Sequence, residues 1–323
     1  MKLPAQNALQ NRTINLSRQY PGRTDPRFSN NMLIPNISPK FQLSTPCKIF
    51  TIGSCFARNI EEALSNVDIE LPTKRFSAPK SEWPNRSNGL LNEYNPGKIS
   101  QRILSALNQE PDPDETIIAG EAGYIDLLLP YGPTVSYERA KERRREINDV
   151  YRDLKSSDLV IITLGFIESW YDNLTEMFLN RMPPDQAIHK QPERFIFHRL
   201  SMPEAYSLLK KAMATMVSAG ISNIILTVSP VPFGATFTAC DAIVANSYSK
   251  SVLRVCAENL KDNFPQVDYF PSYEIITNCG LNAYMEDNKH IKDEMVRLVT
   301  KIMLDSYLIS KGNECKELKE VKR

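Results

Sequence analysis

Four short apolar segments, each ending where the chain turns, most strongly constrain the fold of this 323-residue chain. Between them lie helical patterns, such as the apolar face that begins with Phe56 and Ile60. Strands that alternate with helices predict a parallel, doubly wound α/β sheet, here a flavodoxin-like three-layer sandwich. We therefore expect four parallel and adjacent strands, at residues 48–53, 158–164, 223–229 and 266–270.

The rest of the chain is organised around this predicted domain of residues 48–310. Residues 1–47 are rich in Asn, Pro, Ser and Arg and predict an extended N-terminal arm. Residues 171–200 form a polar insertion within the domain, and residues 311–323 form a charged tail.

Composition excludes several classes of function. The chain has 39 Lys+Arg against 38 Asp+Glu, so neither a nucleic-acid surface nor an anionic-membrane surface is indicated. The arginines at 143–145 are interleaved with acidic residues, which is typical of a solvated helix face. No signal peptide, membrane-spanning stretch, C-x-x-C pair or glycine-rich nucleotide loop is present. We expect a cytoplasmic protein with reduced thiols and with neither metal nor cofactor.

Ligands of doubly wound sheets bind beyond the carboxyl ends of the strands. The first predicted strand ends at Gly53, and Ser54 and Cys55 then open a helix. The unpaired N–H groups and the positive end of that helix favour an anion, so either side chain could be activated there. Without activation, Ser54 would be an ordinary N-cap and Cys55 a small apolar residue.

Asp287 and His290 follow the last predicted strand. An aspartate three residues before a histidine can accept a hydrogen bond from one imidazole nitrogen and leave the other to act as a base. Alternatively, the aspartate caps the next helix beside an exposed histidine.

At these positions the chain resembles a known family. The stretch FTIGSCFAR at 50–58 contains the name-giving motif of the GSCFA family, and TLGFIESW at 163–170, TVSPVP at 227–232 and DNKH at 287–290 resemble its other blocks. The resemblance covers about residues 45–305. The family is similar to the SGNH (GDSL-type) hydrolases, which implies an SGNH-hydrolase-like fold and ester or acyl-transfer chemistry.

When the SGNH pattern is matched to this sequence, either Ser54 or Cys55 could be the nucleophile. Matching Gly53 to the first SGNH glycine places Cys55 at the nucleophile, and we favour it over Ser54, since a thiol at a helix N-terminus has a lowered pKa. Ile167 stands where the pattern has an oxyanion-binding Asn. The turn's own N–H groups or Asn92 are the candidate replacements.

Three further residues are candidates for the site. Gly165 belongs to the oxyanion and substrate-binding region that the resemblance implies. Glu168 either binds substrate, fixes a neighbouring loop or pairs with an arginine. Lys250 is interpreted as a surface or structural charge rather than a phosphate ligand.

With these residues, the resemblance implies an esterase or O-acyltransferase that forms a covalent acyl-enzyme on a small hydroxylated or carbohydrate ester, with an acyl donor as a second partner if the reaction is transfer. The alternative is a non-catalytic binding or scaffold protein on a degenerate SGNH fold. The catalytic hypothesis predicts that the imidazole of His290 lies about 3–5 Å from Cys55 Sγ or Ser54 Oγ, and that Asp287 is hydrogen-bonded to the other imidazole nitrogen.

Overall fold

The protein is described by a computed structural model that covers residues 2–29, 32–64, 68–83 and 86–309. The predicted charged tail at 311–323 lies outside the described residues. The α-helices in the described part are α1 (Ala5–Ile14), α2 (Cys55–Leu64), α3 (Pro96–Asn108), α4 (Tyr137–Tyr151), α5 (Asp185–Lys190), α6 (Met202–Ser218), α7 (Ala242–Asn263), α8 (Ser272–Thr277) and α9 (Asp293–Tyr307). Short 3-10 helices lie at Pro72–Arg75, Gly89–Leu91, Asp114–Thr116, Arg152–Ser156 and Gly280–Ala283.

The strands in the described part follow the same order along the chain. They are β1 (Phe28–Ser29), β2 (Met32–Leu33), β3 (Leu43–Ser44), β4 (Cys47–Gly53), β5 (Ile69–Glu70), β6 (Ile117–Gly120), β7 (Gly123–Asp126), β8 (Leu159–Leu164), β9 (Glu168–Asp172), β10 (Met177–Leu179), β11 (Phe195–Arg199), β12 (Ile224–Val228), β13 (Val267–Tyr269) and β14 (Leu308–Ile309).

The main sheet confirms the predicted fold class. Its strand order is β13-β12-β8-β4-β5, and every pairing in it is parallel. Numbered by position in the chain, this is the 2-1-3-4-5 order of flavodoxin-like sheets. The four predicted strands are adjacent, as expected. The edge strand β5 was not predicted, because two residues are too few to show a periodic pattern.

Two helical layers cover the sheet, because successive side chains of each buried strand point to opposite faces. Phe50, Val160 and Leu226 pack in one core cluster with side chains of α3, α6 and α7. Ile49 and Ile161 pack in another cluster, with side chains of α2 and α9. Burial on both faces explains why these strands read as continuous apolar runs.

Segments outside the main sheet differ from the sequence predictions in two places. The N-terminal arm contains helix α1, which buries none of its residues, where extended chain was expected. Helix α4 buries Arg143 and Arg144, which are 3% and 6% exposed, so the prediction of a solvated face is wrong for them. Both arginines lie against acidic partners, Glu82 and Asp126, which are distant in sequence.

The predicted insertion at 171–200 contributes to a second, antiparallel sheet of order β10-β9-β11. Strand β9 begins at Glu168, four residues after β8 ends, so this small sheet stands beside the carboxyl edge of the main one. In the part of the chain described here, no helix is long and apolar enough to cross a membrane.

Candidate active site

The turn between β4 and α2 is set by a close contact with the neighbouring strand. Gly53 has φ +130°, and a Cβ atom there would lie 2.2 Å from the carbonyl oxygen of Thr163 on β8. Only glycine permits both this conformation and this approach. The turn therefore carries Ser54 and Cys55 directly over the carboxyl ends of β4 and β8.

Ser54 and Cys55 have different surroundings. Ser54 is 3% exposed, its Oγ lies 3.3 Å from Thr163 Oγ1, and it accepts a hydrogen bond from the Phe56 N–H at 3.4 Å. These contacts hold Ser54 at the start of the helix in a capping role. Cys55 is half-buried and is the first residue of α2.

Both residues line a cavity of about 400 Å³. Its walls come from the loops after β8 and β12, from the small sheet and from the segment around Tyr94. Seven of the lining residues are aromatic: Tyr94, Tyr131, Phe166, Trp170, Phe197, Phe233 and Phe237. A largely apolar cavity with a few placed polar groups is typical of a small-molecule site.

The pKa of the Cys55 thiol is raised, mainly because the side chain is buried. The positive charges of Arg86 and Lys250 and the N–H groups of Phe56 and Cys55 itself lower it, but by less. The predicted lowering at the helix N-terminus is therefore wrong in direction, since desolvation of the charged form outweighs the helix end. The thiol is protonated at neutral pH and needs a base before it can act as a nucleophile.

Lys250 lies on α7 beneath this cavity and is fully buried. Its Nζ donates hydrogen bonds to the carbonyl oxygens of Gly165, at 2.6 Å, and of Val231, at 2.7 Å. Burial lowers the pKa of Lys250 to about 7, and the electrostatic interaction with Cys55 opposes that shift. The structural alternative for this lysine is right and the surface alternative is wrong, because it joins two loops that form the cavity floor.

Of the four candidate oxyanion and substrate residues, Gly165 and Glu168 line the cavity. Gly53 and Asn92 lie just behind it, paired by a parallel bridge. The side-chain amide of Asn92 donates to Tyr94 Oη at 3.2 Å, so it reaches the cavity wall through that tyrosine.

Ile167 and Glu168 lie in the block where the SGNH pattern has its oxyanion-binding Asn. The Ile167 side chain is buried in the core, and its backbone N–H donates to Ser249 Oγ at 3.0 Å. The Glu168 carboxylate accepts hydrogen bonds from the Thr236 hydroxyl at 2.6 Å and from the Phe237 N–H at 3.0 Å. Among the alternatives for Glu168, the structure thus shows it fixing a neighbouring loop.

Asp287 and His290 form a pair on the loop before α9. Asp287 accepts hydrogen bonds from the backbone N–H groups of Lys289 and His290, both at 2.9 Å, and its carboxylate contacts His290 Nδ1. These contacts hold the pKa of Asp287 well below its ordinary value. The His290 side chain is 65% exposed, and within the described part of the chain neither residue is among those that line the Cys55 cavity.

This loop is nevertheless fastened to the same rim of the sheet. Tyr284 bridges to Ile291 across the loop, and its hydroxyl donates to the carbonyl oxygen of Pro230 at 3.1 Å. Pro230 lies between Ser229 and Val231, which both line the cavity. The loop that carries His290 is therefore connected, through Tyr284, to the segment that follows β12.

The sequence analysis did not predict that Lys250 is fully buried or that Arg181 lines the cavity. A signal existed for the lysine, because Lys250, Leu253, Ala257 and Leu260 share the apolar face of one helix. None existed for Arg181, whose position depends on how residues 171–200 fold.

Comparison with known proteins identifies the family to which the chain belongs. No curated protein matches the chain. Among solved structures, a mutant of Axe2, an acetyl-xylooligosaccharide esterase from Geobacillus Stearmophilus, is similar with a TM-score of 0.33 and 14% sequence identity, over 82% of this chain and 96% of that one. The GSCFA family model matches residues 48–302. The chain therefore belongs to the GSCFA family.

Proposed function

We propose that this protein is an ester hydrolase or O-acyltransferase that forms a covalent acyl-enzyme on Cys55, with a small hydroxylated or carbohydrate ester as substrate. The observation that carries the proposal is the position of Cys55 at the first turn of α2, facing an aromatic-lined cavity at the carboxyl edge of the sheet. Ser54 has its hydroxyl committed to Thr163 and to the helix N-terminus, which favours the thiol as nucleophile.

The reaction divides into two steps. In the first, a base removes the thiol proton, the sulfur attacks the ester carbonyl carbon, and the C–O bond breaks as the alcohol takes up a proton. The acyl group is then held as a thioester. In the second step, water or an acceptor hydroxyl attacks that thioester, and the thiol is regenerated. Water gives hydrolysis, and a hydroxyl gives transfer.

The carbonyl oxygen gains negative charge in both steps and needs hydrogen-bond donors. The backbone N–H groups of Cys55 and Phe56, in the first turn of α2, lower the pKa of the thiol. The Phe56 N–H also donates to Ser54 Oγ at 3.4 Å, so in this proposal the Cys55 N–H is the main donor that replaces the amide absent at Ile167.

His290 serves as the base in this proposal, with Asp287 orienting it. The hydrogen bond between the two supports this role, because it holds one imidazole nitrogen and leaves the other free. Because His290 is exposed and is not among the described residues that line the cavity, proton transfer in this proposal requires the loop at 285–290 to fold inward over Cys55 when substrate binds.

The competing function is a binding protein that performs no chemistry. Its support is Ile167, a buried apolar residue at the position where the SGNH pattern places an oxyanion donor. Loss of such a donor costs about 10²–10³ in rate, so the site would then bind an ester without turning it over.

A trapping experiment tests the proposal. The protein is mixed with 4-nitrophenyl acetate at pH 8, quenched in acid and digested, and the acetylated residue is mapped by mass spectrometry. We expect an acetyl group on Cys55, its absence in Cys55→Ala, and its retention in Ser54→Ala. Cys240 is exposed and provides a control for non-specific acetylation of thiols. Acetylation of Cys55 no faster than that of Cys240 would favour the binding protein.

A further inference from the structure

Three residues that line the Cys55 cavity each carry a polar side-chain atom that is buried without a hydrogen-bond partner among the described residues. The atoms are Trp170 Nε1, Asn180 Oδ1 and Arg181 Nε. Buried polar atoms in folded proteins are almost always paired, so each exception calls for an explanation. Three such residues around one cavity show that the protein leaves polar groups of this wall unsatisfied, and Arg181 is the charged one among them.

Arg181 has no ion-pair partner among the described residues. Its guanidinium instead stands 5.7 Å from the centre of the Tyr131 ring. Burial lowers the pKa of Arg181, and Asp126 is the carboxylate that opposes this shift electrostatically, but it already accepts hydrogen bonds from Arg144 at 2.6 Å and 2.7 Å. A guanidinium without a carboxylate partner, at the wall of a cavity, is suited to a planar or tetrahedral anion.

The other walls present aromatic faces. Phe166 stacks on Tyr94 with ring centres 5.4 Å apart, and Trp170 meets Phe237 edge to face at 5.3 Å. Aromatic surfaces of this kind bind flat or ring-shaped groups by dispersion, and they offer no partner for an anionic group. The cavity therefore combines a wall for a ring with one positive corner.

We propose that this cavity binds an ester whose ring carries an anionic group, a carboxylate or a phosphate, and that Arg181 pairs with that group. The ring lies between the aromatic walls. The assignment of this ligand as the ester substrate rests on the proposed function, whereas the binding of the anion at Arg181 does not.

The test measures protection of Cys55 from alkylation by iodoacetamide in the intact protein. The probes form two matched pairs that differ in charge: benzoate against benzamide, and phenyl phosphate against phenol. Labelling of Cys55 is followed by mass spectrometry, with Cys240 as an internal control because it lies outside the cavity. Calorimetric titration with the same four probes provides a second measurement that does not depend on thiol reactivity.

We expect one anion to bind about tenfold more tightly, or better, than its neutral partner. Arg181→Met should abolish the preference, Arg181→Lys should keep part of it, and Arg152→Met, at a residue whose side chain is 75% exposed, should leave it unchanged. Protection by benzoate alone identifies a carboxylate, and protection by phenyl phosphate alone identifies a phosphate.

The proposal is overturned if the neutral probes bind as well as the anions, if none of the four probes binds, or if the preference survives undiminished in a folded Arg181→Met protein. Alkylation and calorimetry need no acyl transfer. A protein that binds the anion but forms no acyl-enzyme would therefore refute the proposed function alone, and an acyl-enzyme without charge preference would refute this inference alone.

Discussion

The Nζ of Lys250 lies 2.6 Å from the carbonyl oxygen of Gly165, inside the protein and directly below the cavity. The lysine on α7 thereby connects the end of β8 to the loop after β12, since it also donates to Val231. The floor of the site depends on a buried amine rather than on an ion pair.

Replacing this lysine should destabilise the protein and change how its stability depends on pH. Lys250→Met leaves two carbonyls without their donor, which costs about 1–3 kcal/mol for each buried group. Burial lowers the pKa of Lys250 to about 7 from 10.5, so between these values the unfolded state binds the extra proton. Wild-type stability therefore gains from this group as pH rises from 7 towards 10.5.

Urea denaturation of wild type and Lys250→Met at pH 6.5, 8 and 9.5 measures this effect. The difference in free energy of unfolding should grow with pH. The exposed Lys211, changed to methionine in parallel, is the matched control. A difference that is constant or shrinks with pH would show that the buried amine is charged throughout.

Gly53→Ala should strongly destabilise the fold. The new Cβ would lie 2.2 Å from the Thr163 carbonyl oxygen in a backbone with φ +130°. Strain and overpacking together predict a loss of at least about 2 kcal/mol in the free energy of unfolding, measured by urea denaturation. Gly234→Ala, where a Cβ would meet nothing within 4 Å, should change stability far less. Equal effects of the two substitutions would contradict the proposed role of the turn.

Glu168→Ala should loosen the loop that forms one cavity wall. The Phe237 N–H and the Thr236 hydroxyl lose a charged acceptor, and such bonds contribute about 1.5–3 kcal/mol. We expect amide exchange at Phe237 to become about tenfold faster or more, as measured by hydrogen–deuterium exchange. Glu168→Gln keeps one acceptor oxygen and should have a smaller effect. Unchanged exchange in both variants would show that other contacts hold the loop.

His290→Ala tests the proposed base, and its effect depends on the proposed function. General-base catalysis contributes about 10²–10⁴ in rate, so acetylation of Cys55 by 4-nitrophenyl acetate should slow by that factor at pH 7. Raising the pH should recover part of the rate, because hydroxide then deprotonates the thiol, whose pKa is raised by burial. The exposed His189, changed to alanine, is the control. A wild-type rate in His290→Ala, with Cys55→Ala inactive, would assign the base to another residue.

Much of the fold was predictable because its signals are local. Buried parallel strands appear as apolar runs, and the helices between them show a periodic face, so the four strands near Gly53, Thr163, Val228 and Tyr269 could be placed. Their common direction then predicted that the residues after them meet at one edge. The predicted adjacency and parallel pairing are confirmed.

The site was predictable in part for the same reason. The motif at Gly53 and Cys55 was visible because its turn and helix start are contiguous in sequence. The burial of the thiol was not visible, since the aromatic walls come from segments as distant as Tyr94 and Phe233. That burial reverses the direction predicted for the thiol pKa.

By itself, the sequence determined four strands of the main sheet, the helices that cover them, the family motif and the edge of the sheet at which Cys55 lies. Only the tertiary structure decided that Ser54 faces Thr163, that Lys250 is buried below Gly165, and that Arg181 stands at the cavity wall with no carboxylate partner in the described part of the chain. The physical reason is that backbone propensity and apolar periodicity act over a few neighbouring residues. Burial, pKa and the pairing of charges are instead set by side chains that only the folded topology brings together.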